Sequence, residues 1–378
     1  MERQPVYLDY NATAVPRPEA VEAAAIVMAE VGNPSSVHRA GRRAGGILAR
    51  ARDQVAGFCG VPAANVTFTS GATEANNMVL RGTKASRLIV SAVEHESVLE
   101  PARRSGLPVT VVGVDRAGRL DLAALESALD ESKGLALLSI MAVNNETGVI
   151  SPYAEIGRLA RAHGALFHCD AAQAAGRLDL SEISGEADFI SLSAHKIGGP
   201  MGVGAVLRGC GEAPEALFSG GGQELGMRAG TENLPGIAGF GVAAEIAGRE
   251  RNAMARLVEL RDAMEAEILE IAPDVVIPGQ DAPRVGNTSA IAMRGMPAET
   301  QVMALDLAGI AVSAGSACSS GKVRRSHVLS AMGFDEETAG SAIRVSLGWK
   351  TQGEDIARFL AAWSEMRARA GLALAEAR

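Results

Sequence analysis

Between about residues 60 and 210 the chain alternates two patterns. Short runs of β-branched, aliphatic and aromatic residues are separated by stretches with helical spacing of apolar positions. The runs are Val66–Thr69, Leu88–Val93, Pro108–Val114, Leu135–Val143, Ala165–Ala172, Phe189–Ala194 and Val203–Arg208. Nearly continuous apolar strands alternating with helices predict a mostly parallel, doubly wound sheet covered on both faces, an α/β fold. From Thr231 to Ala272 charged and apolar positions recur with helical spacing, which predicts one long helix running from a large to a small domain. After Pro273 the pattern changes to a smaller α+β unit, with candidate strands or helix–strand pairs in Asn287–Gly295, Met303–Ser313 and Ile343–Trp349. The expected division is a large domain of residues 15–250 and a small domain of residues 1–14 and 251–378. The extreme N-terminus is expected at the small domain or the junction, and Ala361–Arg378 reads as a terminal helix.

Polar, chemically capable residues stand where these strands end. Phe167–Gln173 closes on Asp170 and Gln173, and Ser191–Lys196 closes on His195 and Lys196. Leu88–His95 ends in Glu94-His95, an imidazole that could stack on a ring or move protons. Val66–Thr69 runs into Ser70-Gly71-Ala72-Thr73 and then a helical stretch. Strand, glycine turn and helix N-terminus make an anion cradle, because the first backbone N–H groups and the dipole point outward. Any one of these segments reads as readily as an ordinary βα turn or surface residue. Together they supply what pyridoxal phosphate needs: a lysine for the Schiff base, an acid for the ring nitrogen and a phosphate site. The cradle is not a P-loop, since it lacks the GK[ST] ending.

One cysteine stands apart. Cys318 lies in Ser313–His327, a run of small and polar residues that cannot bury much apolar surface and is expected to be a mobile loop. Lys322, Arg324, Arg325 and His327 nearby favour its thiolate, and an accessible thiolate is a nucleophile.

With these segments in view the chain resembles the class V aminotransferase family of fold-type I pyridoxal phosphate enzymes. More narrowly it resembles the cysteine desulfurases of the NifS/IscS type. The resemblance runs over nearly the whole chain through ordered motifs: YLDYNATAVP, GNPSSVHRAG, TSGATEANN, EHESVL, MAVNNETGVI, FHCDAAQAAG, SLSAHKIGGPMGVGA, GGGQELGMRAGTEN, SAGSACSSG and SAIRVSLG. It implies that Lys196 is the Schiff-base lysine, Asp170 the partner of the pyridinium nitrogen, Gln173 a donor to the ring phenolate and His95 the stacking acid–base residue. It places Ala72, Thr73, Ser193 and His195 around the phosphate. Thr231 is implied to reach the phosphate of a partner subunit's cofactor, hence a homodimer. Asn145 and Arg344 are implied to bind the substrate carboxylate, with Asn33 lining the same pocket. An Arg fork suits bidentate carboxylate capture. Cys318 is implied to form a persulfide, and its SSGxACSSG-like surroundings resemble group I. The implied activity converts L-cysteine to L-alanine and hands sulfur to an acceptor protein, an iron–sulfur scaffold or a sulfur carrier. Selenocysteine lyase or aminotransferase activity is the alternative. Three positions depart from the pattern: Ala194 replaces the usual Gly, Ala14 a Thr and Cys169 the common Val.

Bulk properties fit a large globular enzyme. The 378 residues are 47% hydrophobic with mean hydropathy +0.12, and only 3% are aromatic, so aliphatic residues must fill the core. The net charge of −8 without basic runs argues against a nucleic-acid partner. No apolar stretch of about 18 residues and no secretory h-region is present, so neither a membrane span nor export is expected. Cys59, Cys169, Cys210 and Cys318 are scattered, which suggests no metal site or disulfide framework and fits a reducing cytoplasm.

Overall fold

A computed structural model describes residues 5–130, 134–209, 213–250, 254–315 and 325–371. In chain order the elements are β1 (Val6–Tyr7), α1 (Pro18–Met28), α2 (Arg39–Cys59), β2 (Val66–Thr69), α3 (Ala72–Gly82), β3 (Arg87–Ser91), α4 (Glu96–Arg103), β4 (Val109–Val112), α5 (Leu122–Asp130), β5 (Ala136–Ser139), α6 (Tyr153–Ala162), β6 (Leu166–Asp170), α7 (Leu180–Ser184), β7 (Phe189–Ser193) and β8 (Gly204–Arg208). They continue with α8 (Leu234–Arg249), α9 (Met254–Ile271), β9 (Thr288–Ala292), α10 (Ala298–Leu307), β10 (Ile310–Ala311), β11 (Ser313–Ala314), α11 (His327–Ala331), α12 (Glu336–Gly340), β12 (Ala342–Ser346) and α13 (Gly353–Arg369).

The large sheet has the order β2-β8-β7-β6-β5-β3-β4. The pairs β3–β4, β3–β5, β5–β6 and β6–β7 are parallel, and β8 runs antiparallel to both β2 and β7. Alternate residues of each strand face opposite cores. Ile89, Leu138 and Ile190 belong to one, while their neighbours Leu88, Leu137 and Phe189 belong to the other. That two-sided burial is why these strands read as continuous apolar runs rather than alternating ones. Helices α1, α2 and α8 pack together on one side, and α3 packs on α4, β7 and β8.

A second sheet, β11-β12-β9, is antiparallel, and β1 pairs in parallel with β10. Its core gathers Leu8, Met264, Ile291, Phe359 and Trp363 from strands and from α9, α10 and α13. The N-terminal segment reaches the second sheet where Asp9 bridges to Ser346 of β12, while Val6 pairs with Ile310 in the separate β1–β10 ladder.

Two expectations need correction. The single helix over 231–272 is divided into α8 and α9. The Gly- and Ala-rich α8 is buried against α1 and α2, whereas α9 packs on β9 and α13, so the two halves serve different cores. The terminal helix begins earlier than read, at Gly353, where Gln352 and Asp355 form a capping box, and it ends at Arg369. Residues 372–378 lie outside the described part.

Candidate active site

The ends of β2, β3, β6 and β7 open on one cleft of about 630 Å³. Its lining includes Ala72, Thr73, His95, Asn145, Asp170, Gln173, Ser193, His195, Lys196 and Arg344. Ten predicted site residues therefore converge, contributed by segments that are far apart in sequence. Such a crevice beyond the strand ends is where open α/β sheets bind ligands.

At the floor, β6 delivers Asp170, which is 6% exposed. Its Oδ1 accepts from the Ala172 N–H at 3.0 Å and its Oδ2 from Asn76 Nδ2 at 2.7 Å. The same Asn76 nitrogen donates to Ser97 Oγ at 2.9 Å, and Ser97 Oγ lies 2.8 Å from His95 Nδ1. His95 caps α4, its Nδ1 accepting from the Ser97 N–H at 3.1 Å. An Nδ1 that accepts leaves Nε2 as the proton-bearing atom of the neutral ring. One asparagine therefore fixes both the acid and, through a serine, the imidazole. The adjacent Glu94 is fully buried, with Oε1 accepting from the Met141 N–H at 2.8 Å. Burial, reinforced by Asp170, pushes its carboxyl well above the usual range.

Lys196 follows β7 in a short 3₁₀ turn. Its Nζ donates to the Ala12 carbonyl at 2.9 Å and to the Asn11 carbonyl, which also accepts from Gln173 Nε2 at 3.0 Å. His195 Nδ1 lies 3.2 Å from Thr13 Oγ1. Burial and then the Lys196 charge lower its pKa to about 4, so the ring is neutral near pH 7. On the opposite wall α3 starts at Ala72 with no side chain capping it, and first-turn N–H groups have no intrahelical acceptor. Gly71 adopts φ +156°, and across the sheet Gly204 makes room for it.

Arg344, 3% exposed on β12, reaches the cleft from the second sheet. Its Nη2 donates to Asp9 Oδ1 at 2.9 Å and its Nη1 to the Asn145 carbonyl at 3.1 Å, while its Nε has no partner among the described residues. Glu146, next to Asn145, accepts from Ser326 Oγ at 2.5 Å, and burial raises its pKa.

Two predicted residues stand elsewhere. Asn33 is exposed in the turn between α1 and α2, where its Oδ1 accepts from the Ser35 N–H at 2.9 Å. Thr231 is exposed just ahead of α8 and does not line the cleft. Cys318 lies outside the described residues. Conversely, the sequence reading assigned no role to Asn11, Ala12, Thr13, Asn76 or Ser97. Asn76 lies one helical turn beyond Thr73, a spacing that placed it on the same face. Ala12 and Asn11 act through backbone carbonyls, which leave no mark in the sequence.

A lysine, a carboxylate held on a strand end, and an uncapped helix N-terminus facing one cleft suit a cofactor with a carbonyl carbon, a basic ring nitrogen and a phosphate. Together with the doubly wound sheet, they define a fold-type I pyridoxal phosphate enzyme. The chain belongs to the class-V aminotransferase family, whose pattern matches residues 6–359, and enzymes of this family work with pyridoxal 5′-phosphate. It is similar to a cysteine desulfurase of Sinorhizobium fredii (strain NBRC 101917 / NGR234), 43% identical over 371 residues that cover 94% of this chain and 95% of the relative. A cysteine desulfurase IscS of Dictyoglomus turgidum is 40% identical over 367 residues, covering 94% and 92%. Among solved structures, a NifS-like protein from Rickettsia africae matches with TM-score 0.91 and 33% identity, over 97% of this chain and all of that one.

Proposed function

We propose that this chain is a pyridoxal phosphate-dependent cysteine desulfurase that turns L-cysteine into L-alanine and retains the sulfur as a persulfide on Cys318. The observation that carries the reading is the convergence of Lys196, Asp170, His95 and Arg344 on one cleft. The names of the relatives and the sequence around Cys318 support the narrower activity.

Lys196 would hold the cofactor covalently, Asp170 its ring nitrogen, Gln173 its ring oxygen, and the Ala72–Thr73 amides with Thr73, Ser193 and His195 its phosphate. When bound, the group supplies an electron sink that makes the substrate Cα proton removable. Arg344 and Asn145 orient the substrate carboxylate. The Lys196 amine would move the Cα proton, and His95 would handle protons at the substrate sulfur. The Cys318 thiolate then attacks that sulfur. An S–S bond forms, the substrate's C–S bond breaks with its electron pair left on carbon, and protonation of that carbon together with return of a proton to Cα completes alanine.

The persulfide passes to an acceptor protein, an iron–sulfur scaffold or sulfur carrier. The enzyme is a homodimer in which Thr231 completes the partner's phosphate site. This is supported by Thr231 standing outside the cleft of its own chain. Among the described residues no helix is long and apolar enough to cross a membrane. A cytoplasmic setting fits four scattered cysteines. The two-domain division, 15–250 against 1–14 with 251–378, belongs to this same reading. Comparing alanine release from L-cysteine with that from L-selenocysteine and keto-acid acceptors tests it. Preferred turnover of cysteine is expected, and turnover of selenocysteine alone, or amino transfer, would replace the assignment.

A further inference from the structure

Behind Gln173 stands a cation that no part of the proposed reaction uses. Arg177 follows the Gly176 turn (φ +72°), which brings its guanidinium back under Gln173. Its Nη1 donates to the Gln173 carbonyl at 2.6 Å and also to Gln173 Oε1. Among the described residues no carboxylate pairs with it, and burial, helped by the Arg344 charge, lowers its pKa to about 9. It remains charged near neutral pH and does not line the cleft itself.

We infer that Arg177 is a positioning residue that sets the polarity of the Gln173 amide, forcing its NH2 toward the cleft. The two ends of a side-chain amide are nearly the same size, so packing alone does not choose between them. A guanidinium only donates, so the Gln173 atom facing it must be oxygen. The Nε2 then points the other way, to the Asn11 carbonyl at 3.0 Å, which is the carbonyl Lys196 also uses. Both choices agree, because a carbonyl demands a donor and a guanidinium demands an acceptor. With a non-donor at position 177 only the Asn11 carbonyl still opposes a turn of the amide, so the share of molecules that offer the oxygen to the cleft rises. The inference rests on the reading of the cleft as a pyridoxal phosphate site, where an inward NH2 stabilises the deprotonated form of the ring oxygen.

The test is a double-mutant cycle on the holoenzyme, read as the pH midpoint of the bound cofactor's visible absorption. Arg177→Met should raise the midpoint by about one unit, a tenfold change in proton affinity. Arg177→Lys, which keeps a donor and a charge, should restore most of it. In a Gln173→Ala background the Arg177→Met shift should shrink to under about a third, leaving only the lost charge. An equal shift in both backgrounds, or none in either, overturns the inference. Protein that binds no cofactor would instead remove the functional reading. Neutron diffraction on ligand-free crystals then still decides the polarity. Deuterium on Gln173 facing Asn11 is expected, and deuterium facing Arg177 contradicts it.

Discussion

Asn76 shows how little of the site depends on residues that do chemistry. Its single NH2 donates to Asp170 and to Ser97, so the amide orientation is fixed by a carboxylate that can only accept. Lys196, Asp170 and His95 were legible because a polar residue ending an apolar strand is conspicuous. Their supports were not, because they are backbone carbonyls or side chains one helical turn away. For Lys196→Ala the expected outcome is protein without the cofactor's characteristic absorbance and without turnover. Desulfuration at the wild-type rate would strip the residue of its role. A pH effect belongs to His168, fully buried, with its two ring nitrogens each 2.8 Å from the hydroxyls of Ser139 and Ser191. Burial lowers its pKa to about 4 from the usual 6.5 of an imidazole. Between those values the unfolded chain binds the extra proton, so the residue's contribution to stability falls as pH falls through that window. The cost of His168→Gln, measured by denaturant unfolding, should therefore be smaller at pH 4.5 than at pH 7 by roughly 2 kcal/mol. Glu94 and Glu146, whose raised pKa values act in the opposite sense, are common to both proteins and cancel in the difference. An equal cost at both pH values would contradict the assignment of a neutral, proton-excluding site.

At the scale of elements, the strands were readable because both faces are buried, but their direction was not. An apolar run looks the same parallel or antiparallel, and β8 is the antiparallel one. The split of residues 231–272 into α8 and α9 was hidden for a similar reason, since amphipathic spacing shows that a face is buried without naming the core it faces. β8 also explains how the cradle and the lysine come together. Gly204 stands opposite Thr69 on one side and Ser193 on the other. A Cβ at Gly204 would lie 2.4 Å from the Leu192 carbonyl oxygen and 2.6 Å from Gly71 Cα, both backbone atoms that cannot swing aside. Gly204→Ala should push β2 and its turn away from β7 and weaken cofactor binding by about tenfold or more, roughly 1.4 kcal/mol. Titration of the apoprotein followed by absorbance measures this, and wild-type affinity would refute the spacing argument.

Across the whole molecule, the N-terminal segment joins what the two sheets supply. Val6 pairs with Ile310 of β10, Asp9 bridges to Ser346 of the second sheet and holds Arg344, and Asn11 and Ala12 hold Lys196. The sequence placed this segment near the junction without revealing that it connects Arg344 to Lys196. The proposed assembly is checked by light scattering with cofactor loading: a dimer is expected, and an active, fully loaded monomer would remove Thr231 from any site. The central claim is that the cleft prepares cysteine and Cys318 takes its sulfur, and the most direct measurement counts alanine formed per active site by the wild type and by Cys318→Ser. A hydroxyl is a far weaker nucleophile than a thiolate near neutral pH. The variant should keep the cofactor, still change its spectrum when L-cysteine is added, and release almost no alanine. The wild type should turn over and gain the mass of one sulfur atom on Cys318. Wild-type alanine output from Cys318→Ser would contradict the persulfide account.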